Sequence, residues 1–127
     1  MKNYLRYGAA LLAALMGAMA IGAGGTVLLL GRDPGYTVIE WLPYYNVGAG
    51  ILSLLVTSVL IWRRHAWAMP LAVVTFVAHS AVLGTLLTAL RDTVASESIT
   101  AMVIRAVSWA VILGLMWAAG TGSSGRD

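Results

Sequence analysis

Four stretches of about twenty apolar residues, parted by short charged or proline-bearing segments, narrow what this chain can fold into more than anything else in it. They run at about 5–30, 44–62, 68–90 and 99–119. A helix needs about 20 apolar residues to cross the hydrocarbon core of a bilayer. Lipid offers backbone N–H and C=O groups no water, so each stretch must be a helix that satisfies its own backbone. Strands would need a closed barrel and alternating polarity, and neither pattern is present. The reading is an all-α integral membrane protein: one domain, residues 1–127, a four-transmembrane-helix bundle with a flexible tail at 120–127. Composition agrees. Only 10% of the residues are charged, against about a quarter in a soluble domain.

Charge placement sets the expected orientation. Lys2 and Arg6 precede the first span, Arg63 and Arg64 sit between the second and third, and Arg126 lies in the tail. The opposite loops carry Arg32, Asp33 and Glu40, then Arg91, Asp92 and Glu97. Both termini and the Arg63–Arg64–His65 turn are therefore expected on the cytoplasmic side, with the chain in a bacterial inner membrane. Trp62, Trp67, Trp117, Tyr4 and Tyr7 would form an inner aromatic belt, and Trp41, Tyr44 and Tyr45 an outer one. The start also resembles a secretory signal with an A-x-A site at Ala18–Ala20, but the apolar run continues through "TVLLL", so an uninterrupted span fits better. In the first outer loop "DPG" reads as a turn, and "TVIEWL" fits either a short strand or an interfacial segment.

Small residues predict how the helices pack. Ala10, Ala14, Ala18, Gly22 and Thr26 share one face of the first span, with Ala9, Ala13, Gly17 and Gly25 on the adjoining one. Lipid tails do not drive helices together, so close backbone approach must do so. The expectation is a seam inside the monomer at Ala14, Ala18 and Gly22, with a dimer seam as the alternative. Asn46, Gly50, Ser53 and Thr57 form a polar stripe on the second span that should face inward, as should Thr75 and His79 on the third. Asn46 and Ser96 also read as caps of helix starts.

His79 and Arg105 are the chemical candidates, because ionisable groups inside a span are costly and often functional. With a rise of about 1.5 Å per residue, His79 lies about 16 Å below Leu90, level with Ser53, Ser108 and Trp109. Arg105 lies about 9 Å below Ile99, level with Gly24, Gly50 and Gly84. Two readings follow. In one, His79 is a neutral hydrogen-bonder to Ser53, Ser108 or a carbonyl, and Arg105 snorkels toward Glu40, Asp92 or Glu97. In the other, Arg105 and His79 line an outward-facing pocket in the space left by the glycines, with Ser53, Ser108, Trp109, Asn46 and Glu40 around it. Met16, Met19, Met69, Met102 and Met116 could join His79 at a soft metal but are equally ordinary filler; no metal and no cofactor is expected.

The chemistry narrows the function classes. Without cysteine, disulfides and thiolate sites are excluded. No carboxylate lies within a span, no second histidine does, and no nucleotide-binding motif is present. The scattered basic residues do not form a nucleic-acid patch. The expected function is a small non-catalytic inner-membrane protein. It would be an accessory or scaffold subunit whose partners are the lipid bilayer and either a homo-oligomer or a larger membrane complex. The alternative is binding or transport of a small amphipathic or anionic molecule around Arg105 and His79. The first requires the small-residue face of the first span to be exposed to a partner, and the second requires a cavity at Arg105.

Overall fold

The computed structural model describes residues 2–31, 35 and 37–120. Arg32, Asp33, Tyr36, most of the "DPG" turn, and the tail with Arg126 lie outside the described residues. Four helices are long and apolar enough to cross a membrane, and among the described residues there is no strand. They are α1 (Lys2–Leu28), α2 (Leu42–Trp62), α3 (Ala68–Leu87) and α4 (Ser96–Ala119). The helices alternate in direction. One end of the bundle, here the basic end, gathers the start of α1, the α2–α3 turn and the end of α4. The two longer connections make the loop end. α1 packs along α2 and α4, α4 packs along α3, and α3 touches α2 more lightly.

Several helix ends differ from the expected limits for local reasons. α2 begins at Leu42 rather than at residue 44, because Pro43 suits the first turn, where its missing N–H is not needed. The "TVIEWL" segment accordingly splits into irregular chain, a turn and the helix start, and is no strand. α3 stops at Leu87, three residues early, and the Gly84 carbonyl accepts both the backbone N–H and the hydroxyl of Thr88, which closes the helix end. α4 starts at Ser96, with Ala95 as the extended capping residue. Ser96 therefore is not the cap; its hydroxyl donates to Glu97. Gly120 ends α4 in the left-handed region at φ +77°. The α2–α3 turn is closed by the His65 N–H on the Leu60 carbonyl and the Arg64 N–H on the Ile61 carbonyl, the Schellman pairing. Arg64 takes the left-handed position at φ +57°, where glycine is the usual occupant.

Within α2, residues Leu52–Thr57 form a π-helical turn. Two serine hydroxyls bond back along the helix here: Ser53, inside the turn, donates to the Ala49 carbonyl, and Ser58, just after it, to the Leu54 carbonyl. Such back-bonding competes with the helical ladder and loosens it. The wide turn lies against α1 at Gly17. A Cβ added to Gly17 would stand 2.6 Å from the Leu54 backbone nitrogen, and one added to Gly50 would stand 2.7 Å from the Gly17 carbonyl oxygen. Gly24 repeats the contact nearer the loop end, 2.5 Å from the Pro43 carbonyl oxygen by the same construction. The α1–α2 seam is thus backbone against backbone at Gly17, Gly24 and Gly50.

That seam corrects the expected one. Gly50 is in it, but Ala14 is only half-buried, while Ala18 and Gly22 are exposed and nothing lies within 4 Å of a Cβ built on Gly22. Of the adjoining stripe Ala9, Ala13 and Gly17 are buried and Gly25 half-buried, and of the expected face Ala10 alone is buried. Two apolar clusters fill the bundle. Ala9, Ala13, Ile61, Ala72, Trp109, Ile112 and Met116 lie toward the basic end, and Ile39, Leu42, Leu86 and Met102 toward the loop end.

Candidate functional site

The buried polar side chains collect at the junction of these clusters. Asn46, Ser53, Thr57, Thr75, His79 and Arg105 are all buried, Arg105 at 7% exposure and His79 at 2%. Every residue of the expected inward stripe of α2 does face inward, as do Thr75 and His79. An unpaired polar group costs several kcal/mol in an apolar medium, roughly 2–7 by reference state, so the partners of these groups define the site.

Two adjacent residues of α2 hold the other helices. Asn46 accepts a hydrogen bond at Oδ1 from Arg105 Nη1 of α4. Tyr45 Oη and His79 Nδ1 of α3 share a hydrogen bond of 2.7 Å, its direction following the imidazole tautomer. Successive helix positions point about 100° apart, which lets neighbouring residues reach two different helices. The Tyr45 ring meets the His79 ring edge-on with centroids 5.6 Å apart. Trp109, one turn beyond Arg105, lies on the other flank of His79 at 6.3 Å. The result is one connected group drawn from three helices: Arg105–Asn46, Tyr45–His79 and Trp109. Gly24 sets its position, since a Cβ there would come within 3.1 Å of the Asn46 Cβ.

The expected site residues are only partly brought together. Asn46, His79, Arg105 and Trp109 belong to the group. Asn46 is thus no helix cap but an interior residue of α2. Ser53 is buried but spends its hydroxyl on Ala49 of its own helix, and Ser108 is half-buried. Glu40 is exposed in the turn before α2, and the group that faces Arg105 from α2 is Asn46. The expected glycine hollow is not there: Gly24 and Gly50 are closed by the α1–α2 contact, and Gly84 is exposed with nothing near it. Tyr45 is the residue that sequence reasoning missed, by assigning it to an outer aromatic belt. The signal was Pro43, which starts the helix two residues earlier and carries Tyr45 about half a turn further in.

Buried Thr57 Oγ1 and Trp109 Nε1 have no hydrogen-bond partner among the described residues. A cleft of about 180 Å³ opens beside the site between α1 and α4, lined by Met16, Met19, Ala23, Ala101, Ile104 and Arg105. It is smaller than the roughly 300–1,000 Å³ of ordinary ligand pockets. Among the described residues, no three His, Asp or Glu side chains gather as metal ligands. Comparison of the chain with protein-family models, curated proteins and solved structures returned no match.

Proposed function

We propose that this protein is a small multi-pass inner-membrane protein with both termini in the cytoplasm, acting as a non-catalytic accessory or scaffold subunit of a membrane assembly. Large apolar side chains are exposed on every helix, among them Leu11, Leu15, Leu55, Val74, Val77, Val107 and Val111. Monomeric soluble proteins rarely expose contiguous apolar patches above a few hundred Å², so this surface supports a lipid surround. The excess of basic residues at one end, and four of the five acidic residues toward the other, support the orientation. His79 and Arg105 hold α2, α3 and α4 together, as polar bonds between membrane helices do.

The observation that carries the scaffold role is the exposure of Ala18 and Gly22 on α1. Small residues at four-residue spacing let a second helix approach closely, and here no helix of this chain uses them. Gly22→Leu should leave the monomer folded and release it from its assembly, read as a drop in native mass after mild extraction from its own membrane. A wild type that already extracts as a monomer removes the scaffold role.

The cleft beside Arg105 favours a second reading, in which it takes a small anionic group. Lysine keeps the charge but lacks the planar fork. Arg105→Lys should then fold and lose that binding. A variant with unchanged ligand-dependent stabilisation removes this reading.

A further inference from the structure

A groove of about 290 Å³ runs on the bundle surface between α1 and the second half of α2, lined by Ala10, Leu11, Ala14, Ser58, Val59 and Trp62. Its walls are apolar; the Ser58 hydroxyl is turned onto the Leu54 carbonyl of its own helix. Nothing in the lining would hold a polar ligand, and the shape suits hydrocarbon. At the basic end the groove meets Trp62, whose ring lies against Tyr7 with centroids 4.4 Å apart and planes tilted by 34°. The Arg6 guanidinium stands 4.8 Å from the centroid of Tyr7. Arg6 Nη1 donates to Asn3 at 3.1 Å, and its buried Nε has no partner among the described residues. Arg63 follows Trp62 directly and is exposed.

Charge complementarity identifies the occupant. Of the five acidic residues, Asp33, Glu40 and Asp92 fall in the loop-end connections, Glu97 in the first turn of α4 at the same end, and Asp127 in the tail. Among the described residues, the basic end therefore holds arginines and no carboxylate. A soluble anion would use the arginines and ignore the groove; a neutral lipid would use the groove and ignore the arginines. From this pairing we infer that the groove is a binding site for an anionic phospholipid, one acyl chain along Ala10, Ala14 and Val59 and the phosphate at Arg6 and Arg63. Trp62 and Tyr7 mark the level between chain and headgroup, where amphipathic rings settle. This site rests on the membrane-embedded reading above and is independent of the scaffold role.

The test uses the full chain reconstituted into phosphatidylcholine vesicles containing dibrominated phosphatidylglycerol, whose bromines quench tryptophan fluorescence on contact. The protein should float with the vesicles. Brominated phosphatidylglycerol should quench more than brominated phosphatidylcholine at equal mole fraction, with a preference of roughly fivefold per arginine. Trp62→Phe should remove the excess quenching. Arg6→Gln combined with Arg63→Gln should abolish the headgroup preference, and Ala14→Leu, which fills the groove and leaves both arginines, should abolish it too. Raising the salt to about 1 M, where the screening length falls to about 3 Å, should weaken it in the wild type without any substitution. Equal quenching by the two brominated lipids overturns the site, as does an excess that survives Ala14→Leu or is displaced by inorganic phosphate. A protein that does not float with the vesicles overturns the membrane-embedded reading itself, and this site with it.

Discussion

The two small-residue faces of α1 are alike in composition and opposite in fate. Ala9, Ala13, Gly17 and Gly24 lie against the rest of the bundle, and at Gly17 and Gly24 the backbone of α2 occupies the space a side chain would need. Ala18 and Gly22, about a hundred degrees round the same helix, are exposed, and a Cβ built on Gly22 would meet nothing within 4 Å. Spacing permits close approach without naming the partner. A helix with small residues on two faces can serve one helix of its own chain and one of another, and that difference is what the following substitutions probe.

Gly17→Leu should have the largest effect. The obstacle is the Leu54 backbone nitrogen, which cannot move aside as the end of a flexible side chain can. A loss of about 3 kcal/mol or more is expected, at or above the upper end for overfilled contacts. Unfolding of the purified protein in mixed detergent measures it, and near-wild-type stability would place the seam elsewhere.

Asn46→Leu comes next. It removes the acceptor of Arg105 Nη1 on α2 while keeping the branched shape of the side chain. Hydrogen bonds to charged groups contribute about 1.5–3 kcal/mol, and the same unfolding assay should show a loss in that range. Asn46→Asp, which keeps an acceptor and adds a charge, should be better tolerated. The opposite order would mean that Asn46 matters by its shape and not by its bond.

Tyr45→Phe is a smaller change. It deletes one hydroxyl and keeps the ring beside His79. Hydrogen bonds between membrane helices average about 0.6 kcal/mol, so the loss should be near that figure and the α3 contact should persist. A loss of several kcal/mol would mean that the bond closes the bundle unaided. Gly22→Ala should cost the monomer nothing. With open space around it, the monomer should change only by helix propensity, a gain of up to about 1 kcal/mol. A destabilised Gly22→Ala monomer would erase the contrast between the two faces.

The sequence made some of this legible. Span number follows from apolar length, a property of each segment alone, and all four helices lie where the apolar runs do. The inward turn of Asn46, Ser53, Thr57, Thr75 and His79 was also readable, because a polar side chain in an apolar helix has one favourable direction. Pairings were not, since they depend on the tilt and register of helices against one another. The straight-helix ruler set Arg105 level with Gly50, and the contact is with Asn46, four residues or about 6 Å away. His79 was measured from Leu90, yet α3 ends at Leu87, which raises it by about 4.5 Å toward Tyr45. The π-helical turn had no sequence signature: no proline or glycine lies within Leu52–Thr57, and serines such as Ser53 and Ser58 are common in apolar helices. The choice between the faces of α1 was equally hidden, because that helix is apolar and small-residue-rich on both.

A photo-crosslink from Gly22 tests the central claim, that the outward small-residue face of α1 is a docking edge, most directly. The chain has no cysteine, so a benzophenone can be attached through Gly22→Cys alone, with Val74→Cys on α3 as an equally outward control. In the native membrane the Gly22 label should give one discrete protein adduct, with a second copy of this chain or with another subunit, and the Val74 label should give none. No protein adduct from Gly22, or equal adducts from both positions, would contradict the docking edge and leave α1 facing lipid there.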